Sequence, residues 1–340
     1  MADIPPFAAV DVGSNTIHLV VARPTDDGHD LITLADELDL TRLGADDSAT
    51  GAIGSERAAR AIAVLRAQAA QAKSLGAQEL LAIATEGVRA AVNADDFLEQ
   101  VRKETGITLR VVTGDQEAAL TYWGATSGLS PTAHERLAAL DLGGGSMEVV
   151  IGEGSRIHWR TSLPLGSGVM HDRYAPSDPP QTTELEQVRQ ETTAQLATLG
   201  VPLPVARVIA CGGTATTLAA LAAQALHIPE PAELAAGKET PPPNADGMRL
   251  GLLTREHLEA LAALFCATPA AQLTERYGVP DARARLLGAG EAVLSAAADH
   301  LGVGALAISR RGVREGAILA RLHAGDAWLE AATAGAGWEE

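Results

Sequence analysis

One short segment occurs twice in this chain, and the repeat restricts the fold more than any other feature. Ala9 to Ala22 and Ala139 to Gly152 align with Asp11 over Asp141, 130 residues apart. They read Val-Asp-Val-Gly-Ser-Asn-Thr against Leu-Asp-Leu-Gly-Gly-Gly-Ser, each followed by a β-branched run. An apolar run that reaches an acidic residue, breaks at small residues able to take positive φ and leaves in a second apolar run is a tight β-hairpin with a polar tip. Backbone N–H groups at such a tip, beside the hydroxyls of Ser14, Thr16 and Ser146, have no helix or ladder to occupy them. An anion such as phosphate fits there. Gly143 to Ser146 overlaps the glycine pattern of a dinucleotide site, but that pattern opens a helix, and the valine-rich Met147 to Ile151 does not. One copy alone is explained equally well by an ordinary turn; two copies with acidic residues in register are not.

At 340 residues the chain exceeds the usual size of one core, so two domains are expected. Hydrophobic residues make up 46% but aromatics only 3%, which means cores of small and branched aliphatics. A formal net charge of −17 argues against a surface that coats nucleic acid, while leaving room for a local cationic site. Cys211 and Cys266 are too few and too far apart for a zinc motif or a disulfide framework, which suits a reducing cytosol and predicts a cytoplasmic protein. The N-terminus lacks a basic region followed by a long apolar run, and no stretch approaches 18 uninterrupted apolar residues. Neither a signal peptide nor a membrane span is expected.

Phe7 to Val12, Thr16 to Ala22 and His29 to Leu34 read as a three-stranded meander. A helix from about Gly54 to Leu75, a strand over Glu79 to Ala84, a helical stretch from Thr85, a helix over Ala94 to Thr105, a short strand at Leu109 to Val112 and a helix over Asp115 to Trp123 follow. The second half repeats the order: strands at Arg136 to Asp141, Met147 to Ile151 and Arg156 to Ser162, an ambiguous Leu163 to Tyr174, a helix at Thr183 to Leu199 and a strand at Ala206 to Ala210. That strand runs into Cys211-Gly212-Gly213-Thr214, where a helix N-terminus offers a third anion contact or a plain turn. Glu230 to Gly247, rich in proline and alanine, reads as an exposed loop. Helices at Arg255 to Ala267 and Ala282 to His300, a strand at Ala305 to Ser309 and a helix at Gly312 to His323 complete the order. The expected domains are 1–124 and 125–310, with a C-terminal helix over 311–326 packing back near the first and a loose tail at 327–340. Two α/β domains with mixed sheets and flanking helices place the hairpins face to face across an interdomain cleft.

Asp11-Val12-Gly13-Ser14-Asn15-Thr16, Arg42-Leu43-Gly44, Ala84 to Asn93, Thr113-Gly114-Asp115-Gln116-Glu117-Ala118, Asp141 to Glu148 and Ser309 to Gly316 together resemble the exopolyphosphatase / guanosine pentaphosphate phosphohydrolase family, a branch of the actin-like ATPase superfamily. The chain is similar to its short, two-domain form. The resemblance implies two actin-like (ribonuclease H-like) domains, with hydrolysis of a terminal phosphoanhydride using Mg²⁺ or Mn²⁺. It also implies Glu117 as the group that orients or deprotonates water, and Gly13, Ser14, Asn15, Thr16, Gly143, Gly144, Gly145 and Ser146 as phosphate binders. Arg89 would clamp a phosphate, and Asp141 and Glu148, with Asp11 less surely, would hold the metal. A homodimer is implied too.

The chemistry calls for such groups: phosphoryl transfer needs oxygen-ligated metal, backbone amides and an arginine to share charge, and a carboxylate to align water. Taken singly, Glu117 is also a normal first-turn glutamate, Arg89 a solvated helix arginine, and Asp11 and Asp141 turn caps. His18 reads as a strand residue rather than a ligand. Departures from the family pattern are Met147 in place of a threonine, Asp115-Gln116 in place of an acidic pair, and an arginine within Arg283-Ala284-Arg285 in place of an aspartate. The expected activity is that of an exopolyphosphatase on inorganic polyphosphate, with guanosine pentaphosphate hydrolysis as the alternative. An ATP-binding kinase of the same superfamily or a non-catalytic polyphosphate sensor would be of another class.

Overall fold

The computed structural model describes residues 4–26, 28–43, 51–129, 135–226, 249–335 and 337–338. Gly44 and the expected loop Glu230 to Gly247 lie outside the described residues. The chain divides into two compact units, Met1–Leu129 with Gly312–Glu340, and Ser130–Arg311.

In the first unit β1 (Phe7–Val12), β2 (Ile17–Pro24) and β3 (Leu31–Asp39) form the antiparallel meander, and β4 (Leu80–Ala84) and β5 (Arg110–Val111) add in parallel, giving the order β3-β2-β1-β4-β5. Strand alternation sends Val10, Val12, Ile17 and Leu19 to one face, where they join Ile62 and Leu65 of α1 (Ser55–Ser74) and Phe97 and Val101 of α3 (Ala94–Thr105) in one core. Asp11 and His18, directly opposite each other in the ladder, belong to the other face. The remaining helices of this stretch are α2 (Glu86–Arg89), between β4 and α3, and α4 (Gly114–Thr126), after β5.

The second unit repeats the plan. Strands β6 (Arg136–Leu142), β7 (Met147–Glu153) and β8 (Arg156–Leu163) form the meander, β9 (Arg207–Cys211) is parallel to β6, and β10 (Arg249–Thr254) and β11 (Ala305–Ser309) complete the order β10-β11-β9-β6-β7-β8. Leu140, Leu142, Met147 and Val149 enter the core, so Asp141 and Glu148, an opposed pair, lie on the reverse face. The helices are α5 (Ser167–Tyr174), α6 (Thr182–Ala197), α7 (Gly212–Ala225), α8 (Arg255–Ala267), α9 (Ala270–Tyr277), α10 (Asp281–Ala284) and α11 (Leu287–His300). The last two, α12 (Val313–Ala324) and α13 (Trp328–Ala334), rejoin the first unit, where both pack on α4. The tail expected to be loose at 327–340 is therefore corrected: α13 occupies residues 328–334, with Trp328 and Ala332, one turn apart, buried. Among the described residues no helix is long and apolar enough to cross a membrane.

One buried charge sets a pH dependence. Glu291 of α11 has no exposed surface, and both its carboxylate oxygens accept from Arg189 Nη2 of α6, at 3.1 and 3.2 Å. Burial pushes its carboxyl up to about 7, against the opposing pull of Arg189 and with some help from Glu259. A raised acid favours the fold in its protonated form. That stability is fully present below the unfolded value near 4.5 and is lost as pH rises through 7, a change of about 3 kcal/mol for a shift of this size. Glu291→Gln should therefore gain stability relative to wild type between pH 5 and 8 in denaturant titrations. Parallel pH profiles for the two proteins would contradict the assignment.

Candidate active site

The second-unit hairpin is the more complete anion cradle. Gly143 N–H closes the turn on Ser146 O at 3.0 Å, while the carbonyls of Gly143, Gly144 and Gly145 accept from the amides of Ser167 (2.9 Å), Gly168 (3.0 Å) and Gly166 (3.3 Å), at the start of α5. In a planar trans peptide the N–H points away from its C=O. The amides of Gly144, Gly145 and Ser146 therefore all face away from α5, three adjacent donors forming a concave nest. Gly166 makes this possible: a Cβ there would lie 2.3 Å from Gly145 C and 2.4 Å from Gly144 O. The stretch at Leu163 to Tyr174 whose pattern was ambiguous thus backs the turn, its orphan helix amides used on the tip's carbonyls.

Beneath the tip, Glu148 is 2% exposed and its Oε1 accepts from Ser162 Oγ at 2.7 Å. Asp141 stands beside Gly212, whose added Cβ would meet Asp141 Oδ1 at 2.5 Å. Gly212 and Gly213 open α7, and Arg283 Nη2 lies 2.8 Å from where a Cβ of Gly213 would be. Arg283 Nη1 also donates to Thr217 Oγ1 at 3.4 Å, and burial pushes the guanidinium's pKa down. Met147, which lacks the hydroxyl of the family pattern, is fully buried in the core and so removes nothing from the tip.

In the first unit Gly13 N–H closes the equivalent turn on Thr16 O at 2.9 Å, and Thr85 Oγ1 donates to Asp11 Oδ1 at 3.2 Å. Arg42, in left-handed backbone at φ 52, donates its N–H to Asn15 O at 2.9 Å. Glu117 sits in the first turn of α4, which a capping box secures: Thr113 Oγ1 accepts from Gln116 N and Gln116 Oε1 from Thr113 N. Glu117 is 9% exposed. Its Oε2 accepts from Arg89 Nη1 at 3.1 Å, and Arg89 also donates to Val112 O at 2.6 Å and to Glu86. Burial alone would lower the Arg89 pKa; the carboxylates of Glu117 and Glu86 outweigh it and raise the value.

His18 Nε2–H donates to Asp36. Burial lowers the His18 pKa. Burial acts to raise that of Asp36, but the His18 hydrogen bond and the Arg314 charge hold it well below the usual carboxylate range. A neutral imidazole committed to a carboxylate is a strand residue beside the site, as its apolar context suggests.

For a divalent cation, the donor sets fit magnesium rather than a caging metal. Among the described residues no three His, Cys, Asp or Glu side chains converge. The opposed carboxylates of Asp141 and Glu148 would supply the one or two ligands that magnesium takes from protein, with water and phosphate filling the rest. Sequence reasoning missed Thr85, Ser162 and Gly166. The signals were present only as a threonine just past a strand end, the penultimate serine of β8 and a Gly-Ser-Gly run, each common in turns.

The family model for the Ppx/GppA phosphatase family matches residues 20–324. Exopolyphosphatase 1 of Mycobacterium tuberculosis is 33% identical over 321 residues, covering 93% of this chain and 88% of that protein. A guanosine-5'-triphosphate,3'-diphosphate pyrophosphatase of Vibrio atlanticus is 33% identical over 172 residues, half of this chain and 33% of that protein. Among solved structures, the Aquifex aeolicus Ppx/GppA family member has a TM-score of 0.77 at 27% identity, covering 95% of this chain and 99% of that one.

Proposed function

The chain belongs to the Ppx/GppA phosphatase family, and from that membership we propose that it hydrolyses terminal phosphoanhydride bonds of inorganic polyphosphate, releasing orthophosphate. The feature that carries the reading is the run of three amides at Gly144, Gly145 and Ser146 facing away from α5, on the hairpin whose two strands hold the opposed carboxylates Asp141 and Glu148. Amides and metal ligands side by side serve a metal-bound polyanion better than either alone.

Glu117 orients water and accepts its proton as the water oxygen bonds to phosphorus and the bridging P–O bond breaks. Arg89 fixes the Glu117 carboxylate, so a phosphate clamped by Arg89 shares a guanidinium with the base. Gly13 to Thr16 and Gly143 to Ser146 hold phosphate oxygens. Asp141 and Glu148, with Asp11 secondarily, would hold magnesium, which when bound supplies neutralisation of charge developing on the phosphate. Ser162 fixes the Glu148 carboxylate. With a chain of net charge −17, local cations and amides must retain the substrate against the global field.

The test is phosphate release from long-chain polyphosphate, short-chain polyphosphate, guanosine pentaphosphate and ATP, side by side, with Mg²⁺ and with excess chelator. Long-chain polyphosphate should be turned over fastest, and chelator should abolish release. Preference for guanosine pentaphosphate would move the assignment to the activity after which the Vibrio atlanticus relative is named, and full activity in chelator would remove the metal role.

A further inference from the structure

Ser309 to Gly316 includes three buried charges, Arg311, Arg314 and Glu315, none of which is assigned a phosphate in the scheme above; the last two lie in the first turn of α12. Arg314, in the first turn of α12, donates from Nη1 to Leu19 O at 3.3 Å and to Asp36 Oδ1 at 2.9 Å, and the same Asp36 oxygen accepts from His18. Leu19 and His18 are on β2, Asp36 is on β3, and His18 is directly across the ladder from Asp11. The Arg314 side chain thus holds β2, the strand that leaves the Asp11–Thr16 turn, to β3 on the sheet face that carries Asp11 and His18.

The same helical turn holds α4. A Cβ on Gly316 would lie 1.7 Å from Leu120 O, and one on Gly124 would lie 1.9 Å from Gly312 O, so the two helices are in backbone contact. Leu120 is three residues beyond Glu117. Glu315 secures the turn, its Oε2 accepting from Gly312 N at 2.9 Å while its other oxygen pairs with Arg314 at 3.5 Å. A buried ion pair is weak evidence for stability, since apolar residues of similar volume serve a core as well or better. What a guanidinium adds is fixed direction: it meets a backbone carbonyl and a carboxylate at once.

We propose that Arg314 is a positioning residue, locking the Asp11–Thr16 hairpin to the helix that carries Glu117, so that phosphate tip and base keep one spacing within the first unit. The proposal rests on the hydrolase reading above. Because Arg314 does not touch substrate, its loss acts on kcat, and displacement of a base by about 1 Å costs on the order of a hundred-fold.

The experiment compares wild type with Arg314→Lys and with the double variant Asp36→Asn/Arg314→Gln, which removes both charges of the Arg314–Asp36 pair together and leaves Glu315 its bond from Gly312 N. Readouts are kcat and KM for polyphosphate, thermal unfolding, and amide hydrogen exchange. Both variants should melt cooperatively, with kcat down roughly ten- to hundred-fold and KM changed less than about three-fold. Exchange should be faster in residues 11–19 and in the first turn of α4, and unchanged in β6 and β7. A folded double variant with wild-type kcat and exchange overturns the proposal, as does failure of both variants to fold, which would make Arg314 a general stability residue. If wild type itself releases no phosphate, the hydrolase reading fails, and the brace is decided by the exchange pattern alone.

Discussion

Glu117→Gln is expected to lower kcat for phosphate release by about a thousand-fold, within the range that a positioned general base contributes. The substitution keeps a side-chain oxygen for Arg89 Nη1, now 3.1 Å from Glu117 Oε2, and removes the charge and the proton-accepting capacity. Arg89 retains Glu86 and the Val112 carbonyl, so it stays in place. With one carboxylate fewer beside it, a polyanion meets a less negative surface, and KM should hold or fall. Stability should move by less than about 1 kcal/mol, since no cavity opens and no new charge is left unpaired. Steady-state kinetics with binding measured separately checks this. A rate within ten-fold of wild type would remove Glu117 from the base role while leaving the cradle assignment standing.

The largest loss of stability should come from the smallest change. Gly316→Ala places a methyl group 1.7 Å from Leu120 O and 2.5 Å from Leu120 C, well inside any tolerable contact. Neither side can yield by a rotamer change, because both are helix backbone, so α12 must separate from α4. Overpacking usually costs 1–3 kcal/mol where side chains can adjust. Here about 3 kcal/mol or more is expected, a fall in melting temperature of roughly 6–12 °C for a unit of this size. Activity should fall as well, because the displaced helix carries Arg314. A melting temperature within 2 °C of wild type would show that the helices are not in backbone contact.

Both meanders were legible in the sequence because strand alternation and small-residue tips are local signals, and the repeat doubled them. The acidic end of β3 was not. Asp36, Glu37 and Asp39 look like loop residues, and β3 was expected to stop at Leu34; it runs to Asp39, paired with β2 throughout, and Arg314, nearly three hundred residues away, meets the Asp36 carboxylate. The strand β10 was missed for a similar reason: its pairing with β11 is long-range, and its own residues follow a proline-rich run. At the site, the acidic pair and the glycine turn were readable, since spacing alone matched Asp11 to Asp141. The hydrogen bonds that orient them, from Thr85 to Asp11 and from Ser162 to Glu148, join residues 74 and 14 positions apart and leave no periodic trace. Gln116 shows the limit from the other side. Read as a missing acid, it uses its amide to donate to Leu329 O and Thr333 Oγ1 of α13, contacts a carboxylate could not make.

The first unit is built from two stretches of chain with the whole of Ser130–Arg311 between them. On a ribosome that delivers the N-terminus first, the uninterrupted second unit is complete while α4 still lacks α12 and α13. Until those helices emerge, α4 shows to water apolar surface that the finished protein buries, including Trp123, which ends up against Trp338. The hairpin and the base therefore reach their final spacing only after α12 and α13 have emerged. A nascent chain of this kind is without hydrolytic activity until α12 and α13 have emerged, and it is most exposed to aggregation and to chaperones just before that point.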